Sequence, residues 1–258
     1  MKLRTAAAVA VAMLLAGCAG GTGGGGSSAP SAPEQRRLTV FAAASLTEVF
    51  NQLEPRFEQA HPGVDVVYNF GASSDLAQQI VNGGPADLFA AANTSTMKTV
   101  SDAGLVDGQP AVFATNVLEI VTPPGNPAGI TSFADLARPG LKVVVCAPQV
   151  PCGSATEKIE QATGVTLSPV SEEPDVKSTL GKVTTGNADA GLVYATDVHA
   201  AGGDVQGVEF PESAQAVNSY PIAVIAKAPN ADLARAFQEL VTGPEGRAAL
   251  ESAGFGGP

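Results

Sequence analysis

The residues best placed to do chemistry are small hydroxyls at the starts of helices. Ser45 closes the run "TVFAAAS", and Ser45-Leu46-Thr47-Glu48 reads as a capping box, with Ser at the N-cap and Glu at N3. Ser154-Ala155-Thr156-Glu157 repeats the spacing, Ser73-Ser74-Asp75 opens a helix after "YNFGA", and Pro174 sits where another first turn starts. A helix N-terminus presents unpaired backbone N–H groups and the positive end of the macrodipole. It therefore holds an anion without help from Lys or Arg. One capping serine does no more than satisfy its own helix. A site requires several such starts to converge on one crevice at the carboxyl ends of strands, where open α/β folds place ligands.

Other chemistry is poorly supported. His61 precedes Pro62 in a turn, His199 lies near a glycine pair, and neither has Cys, His or carboxylate neighbours at metal-ligand spacing. Ser95-Thr96-Met97-Lys98 matches the S-x-x-K of serine acylases, but neither S-D-N nor K-T-G accompanies it. Met97 and Val100 read as core residues and Lys98 as solvated. A literal G-x-G-x-x-G at Gly21, Gly23 and Gly26 has no strand before it and no helix after it. The expectation is no enzyme, no cofactor and no directly ligated metal cation. Sugar binders line their clefts with aromatic faces, yet this chain has no Trp. Iron binders cluster tyrosines, whereas Tyr68, Tyr194 and Tyr220 are dispersed and read as unpaired.

The elements that must carry these residues alternate. Strand-like runs "LTVFAAA", "VDVVYNF", "DLFAAA", "NVLEIVT", "LKVVVCA", "AGLVYAT" and "YPIAVIA" are separated by helical patterns over 46–60, 75–82, 93–103, 132–136, 155–162 and 175–185. Two more helices, 231–242 and 244–252, close the chain. This predicts an α/β protein with mainly parallel sheet. "LVDGQPAVFATNVLEIVTPPGNP" and "VEFPESAQAVNSYPIAVIAKAPN" have no crossover helix. They fit the strands by which a chain leaves one lobe and returns, giving a first lobe of 38–115 plus 218–258 and a second of 116–217.

The first residues read as an export signal. Lys2 and Arg4 precede a short apolar run ending Leu15-Ala16-Gly17-Cys18, the pattern of a lipoprotein signal over 1–17, with Cys18 as the lipidated residue. Residues 18–37 form a Gly/Ser/Pro tether. The net charge is −11, and losing Lys2 and Arg4 makes it about −13. Such a surface repels nucleic acid, so any bound anion is won by local donors. Outside the cytoplasm Cys146 and Cys152 favour a disulfide over two free buried thiols.

"TVFAAASL", "FGASSDLAQQI", "GGPADLFAAAN" and "GLVYATD", with "YPIAV" and "GPEGRAALESAGF", make the chain from Leu38 onward resemble the molybdate-binding proteins of bacterial ABC importers. The resemblance implies a two-lobed periplasmic-binding-protein fold (type II-like), closing on molybdate or tungstate and delivering it to a permease. Carried over by motif, the oxyanion contacts are Ser45, Ser73, a backbone N–H at Cys152, a backbone N–H at Val176, and the phenol of Tyr194. Cys152 departs from the alanine expected there. Molybdate is fully deprotonated at neutral pH and only accepts hydrogen bonds, so a donor-only site suits it. Asp75 and Asp175 read as first-turn residues. A monomer anchored to the membrane only through its lipid is expected. The alternatives are another oxyanion such as sulfate or phosphate on the same fold, or an anchored interaction module.

Overall fold

The computed structural model describes residues 36–258, so the export signal, Cys18 and residues 18–35 of the expected tether lie outside the described residues. Strand β1 (Arg36–Ala43) becomes wholly buried toward its carboxyl end and passes through a 3-10 turn (Ala44–Leu46) into α1 (Thr47–Ala60). Val49, Phe50, Leu53 and Phe57 of α1 recur at helical spacing and face the core. The chain continues through β2 (Val64–Gly71), α2 (Ser73–Val81), β3 (Leu88–Ala90) and α3 (Thr94–Asp102) into the long β4 (Val106–Asn116). A second series follows: β5 (Leu118–Thr122), β6 (Val143–Cys146), α4 (Pro151–Thr163), β7 (Ser171–Glu173) and α5 (Val176–Thr184). It ends with β8 (Ala190–Tyr194), α6 (Ala195–Ala201) and β9 (Gln206–Val208), before β10 (Asn218–Ile225), α7 (Ala231–Thr242) and α8 (Pro244–Ser252).

Two five-stranded sheets result, ordered β2-β1-β3-β10-β4 and β7-β6-β8-β5-β9. In the first, β1 pairs parallel with β2 and β3, while β10 is antiparallel to β3 and β4. In the second, β6 is parallel to β7 and β8, while β5 is antiparallel to β8 and β9. The expected mainly parallel sheet is thus corrected: half the pairings in each sheet are antiparallel. Parallel neighbours need a crossover helix, and the helix-poor passages feeding β5 and β10 supply none. The chain leaves the first sheet at Asn116 and returns to it at Asn218, two residues that face each other in register.

The core of the first lobe is sealed by the last helices. Leu233, Ala234, Phe237 and Val241 of α7 are buried, and Phe237 meets Phe50 and Phe57 edge-on, at 5.6 and 5.1 Å between ring centroids. Both terminal helices have the bounds expected from sequence. Two others do not. Helix α4 starts at Pro151, four residues before the expected start, because Pro at N1 gives up an N–H that has no helical partner there. Helix α6 directly follows β8 and reads in sequence as the tail of that strand.

Candidate functional site

The carboxyl ends of β1, β2, β3, β6 and β8 are where the small residues gather. Ser45, Ser73, Cys152, Val176 and Tyr194 all line one cavity of about 20 Å³. A single water needs about 10–15 Å³ on the same scale, so the space fits one compact solute and no sugar. All five residues are buried. The first two come from the first sheet's connections and the other three from the second's, so the cavity lies between the lobes.

The serines reach it by routes the sequence did not reveal. Ser45 caps no helix. Ala43 precedes the 3-10 turn, Leu46 is the N-cap of α1, and the Ser45 hydroxyl shares a 2.9 Å hydrogen bond with Tyr220 Oη. Glu48, expected to complete the box, instead receives Lys177 Nζ at 2.8 Å. Ser73 is the first residue of α2 rather than its cap, and its Oγ accepts the Ala92 N–H at 2.9 Å. Ser154 lies inside α4, where its N–H bonds the Val150 carbonyl, so the second box also fails. Asp175 is the N-cap of α5, not a first-turn residue, and its Oδ1 accepts the Ser178 N–H at 2.8 Å. Asp175 is also among the residues that line the cavity.

Helices α2, α4 and α5 therefore point their N-termini at the cavity, with Ser73, Cys152 and Val176 in their first turns. First-turn N–H groups have no helical acceptor, and the three dipoles add positive potential. No Lys or Arg lines the cavity. Cys152 is held by a disulfide to Cys146 at the end of β6, which fixes the start of α4 against the strand. Gly153 makes that approach possible, since a Cβ there would overlap the Ala147 carbonyl oxygen.

Tyr194 lies against Tyr220, edge to face at 6.0 Å, which corrects the expectation that no tyrosines pair. Burial, with Tyr220 and Asp197 close by, raises the Tyr194 phenol well above its ordinary pKa, so it keeps its proton as a donor. Beneath it, Asp197 is wholly buried and pairs with Lys177 at 2.9 Å. Burial raises Asp197 to about 6 against the opposing pull of Lys177. Burial alone would lower the Lys177 pKa, but Asp197 and Glu48 outweigh it and raise it. The Lys177–Glu48 contact joins α5 to α1 across the two lobes. A larger hollow of about 560 Å³ is lined by Glu119 and Glu209. Burial and then Glu209 raise Glu119 to about 7, an environment hostile to anions.

The S-x-x-K residues serve structure: Lys98 pairs with Asp102, Ser95 bonds the capping Asn93, and Met97 and Val100 are buried. Among the described residues no His, Cys, Asp or Glu group suits a metal ion, and no helix is long and apolar enough to cross a membrane.

Residues 38–256 match the family model for bacterial extracellular solute-binding protein. The chain belongs to this family. Within it, the molybdate-binding protein ModA of Mycobacterium tuberculosis is 50% identical over 249 residues, covering 96% of this chain and 95% of that one. The Escherichia coli molybdate-binding protein ModA is 32% identical over 232 residues, covering 86% and 90%. The periplasmic molybdate-binding protein of Azotobacter vinelandii superposes with a TM-score of 0.75 at 22% identity, over 86% of this chain and 99% of that one, which shows a shared fold. As a solute-binding protein of this family the chain has a two-lobed fold whose cleft holds the cavity described above. The residues that sequence reading missed are Asn116, Gly153, Lys177, Asn218 and Tyr220. Gly153 alone left a local signal, in "PCGS".

Proposed function

We propose that this protein captures molybdate outside the cytoplasm, and tungstate equally by the same chemistry, and passes it to the permease of an ABC importer. The observation that carries the reading is the donor set: three hydroxyls and three helix N-termini meet in about 20 Å³ with no cationic side chain. A tetrahedral dianion that only accepts hydrogen bonds satisfies every one of those donors. The names of the relatives add weight to the same reading. Ser45, Ser73, the backbone at Cys152 and Val176, and Tyr194 are the proposed contacts. The protein catalyses nothing in this reading, and binding and lobe closure are one event.

The proposed lobes are 38–115 with 218–258, and 116–217, in agreement with which strands share a sheet. Cys18 is the proposed lipid anchor of a monomer tethered through residues 18–37. Calorimetric titration of the anion-stripped protein with molybdate, tungstate, sulfate and phosphate tests the function. Tight binding of the first two with little heat from the others supports it. Preference for sulfate would keep the fold and discard the specificity, and no heat from any of the four would point to an interaction module.

A further inference from the structure

We propose that Asn218 and Asn116, at the two points where the chain crosses between the sheets, set the direction of the hydroxyl protons so that Tyr194 and Ser45 face the cavity as donors. This deepens the oxyanion reading and rests on it.

The orientation of each amide is fixed by the backbone. Asn218 places one side-chain atom 2.8 Å from the Ala92 carbonyl oxygen. A carbonyl only accepts, so that atom is the nitrogen, and its second hydrogen goes to Tyr194 Oη at 2.8 Å. In Asn116, one side-chain atom lies 3.0 Å from the Val117 N–H, which only donates, so that atom is the oxygen. Its nitrogen therefore turns to Thr196 Oγ1 at 2.8 Å and to Tyr220 Oη at 3.4 Å. Asn116, Asn218, Thr196, Tyr194, Tyr220 and Ala92 are all buried, so water competes little for their hydrogen bonds.

The hydroxyl protons then have few places to go. Tyr194 receives a hydrogen from Asn218, so its single proton is shared out between the neighbouring Tyr220 oxygen and the cavity that it lines. Asn116 Nδ2, 3.4 Å from that oxygen, weakens Tyr220 as an acceptor, and an anion in the cavity outcompetes it for the Tyr194 proton. The 2.9 Å bond between Tyr220 Oη and Ser45 Oγ leaves either hydroxyl free to donate. In the proposed arrangement Tyr220, whose oxygen already receives Asn116, is the donor, so that the Ser45 proton turns to the cavity. Ser73 is set the same way by the Ala92 N–H. Ala92 thus serves two residues of the first lobe, its N–H polarising Ser73 and its carbonyl holding Asn218. A ligand oxygen bearing a proton finds no hydroxyl lone pair turned toward it. Asp175, the carboxylate on the lining, gives Oδ1 to its own helix. The device favours a fully deprotonated oxyanion over hydrogen phosphate, and it operates only when Asn218, in the first sheet, meets Tyr194, in the second.

The test is a double-mutant cycle on the full-length protein, read by calorimetric titration with molybdate and with inorganic phosphate. Asn218→Ala is expected to weaken molybdate binding about tenfold, as for a lost charge-assisted hydrogen bond. In the Tyr194→Phe background the same change should cost no more than about twofold, because Asn218 acts through that phenol. Unchanged affinity in Asn218→Ala, or effects that multiply in the double variant, overturns the proposal. If Asn218→Ala does not fold, the isosteric Asn218→Asp carries the test. Its carboxylate takes the Tyr194 proton and leaves a lone pair for the cavity, so the molybdate-to-phosphate preference should fall at least tenfold, about the discrimination one charge-assisted bond supplies. Equal loss of both anions would overturn the proposal. No molybdate binding by the unmodified protein would overturn the functional reading as well.

Discussion

Replacing Lys177 by Met removes the cation that pairs with Asp197, and the structure fixes both the size and the pH dependence of the result. Asp197 is fully buried, and its pKa is raised from 3.8 to about 6, chiefly by burial. A raised carboxyl pKa means that the folded state holds the proton more tightly than the unfolded chain. Asp197 therefore subtracts stability as pH rises from about 4 to about 6, and by a constant amount above that. At pH 7 a shift of this size costs about 3 kcal/mol. Without Lys177 the pKa climbs further, but the cost has a ceiling. Once the carboxyl is simply protonated in the folded state, the cost at pH 7 cannot exceed about 4 kcal/mol.

The Asp197 share of the Lys177→Met penalty is thus about 1 kcal/mol at pH 7. The half-exposed Glu48 partner adds no more than about 0.5 kcal/mol. About 1–2 kcal/mol in total falls below the 3–5 typical of a broken buried pair, because protonation offers an escape. At pH 5 Asp197 is mostly protonated in both folded proteins, so the penalty should shrink to below about 0.5 kcal/mol. Urea unfolding of both proteins without anion, at pH 7 and at pH 5 with m-values compared, measures it. A penalty that is equal at the two pH values, or larger at pH 5, would refute the reasoning.

Ser45→Ala should weaken molybdate binding by about 1.5–3 kcal/mol, the range for a hydrogen bond to a charged group. Unchanged affinity in a titration would remove Ser45 from the site. Gly153→Ala drives a methyl into the Ala147 carbonyl, so it should cost about 1–3 kcal/mol of stability and weaken anion binding by displacing the start of α4. A Kd equal to that of the parent protein would show that α4 does not contribute. Reducing the Cys146–Cys152 bond, six residues apart in sequence, should lower stability by about 2 kcal/mol through loop entropy. Identical melting with and without reductant would contradict this.

Much of the architecture was legible in local pattern. Alternating strand and helix periodicity located every strand of four residues or more, with β4 and β10 read as the extended, helix-free passages between lobes. The bounds of α7 and α8 followed from an apolar face at 3.6-residue spacing, and from Pro244 opening the last helix. The three-residue strands β7 and β9 left too little periodicity to read, and α6 was hidden in the run that ends β8. The motif resemblance supplied five positions that the structure gathers around one cavity.

What local pattern could not decide was which partner each polar group takes. "SLTE" and "SATE" carry the same capping signature, yet neither forms a box: Ser154 already lies inside α4, which starts at Pro151, and the partners taken by "SLTE" lie far away in sequence. Ser45 bonds a phenol 175 residues distant, and Glu48 pairs with a lysine 129 residues on. A capping bond is worth about 1 kcal/mol, and a buried phenol left unpaired costs at least as much, so burial of Tyr220 settles the choice. The same holds for Asn116 and Asn218, which sequence shows only as polar residues flanking extended runs. The sequence by itself determined most of the elements and the small residues at their ends. Only the tertiary structure decided that those ends meet across two lobes and which way their protons point, because burial and long-range pairing set the cost of every unmade hydrogen bond.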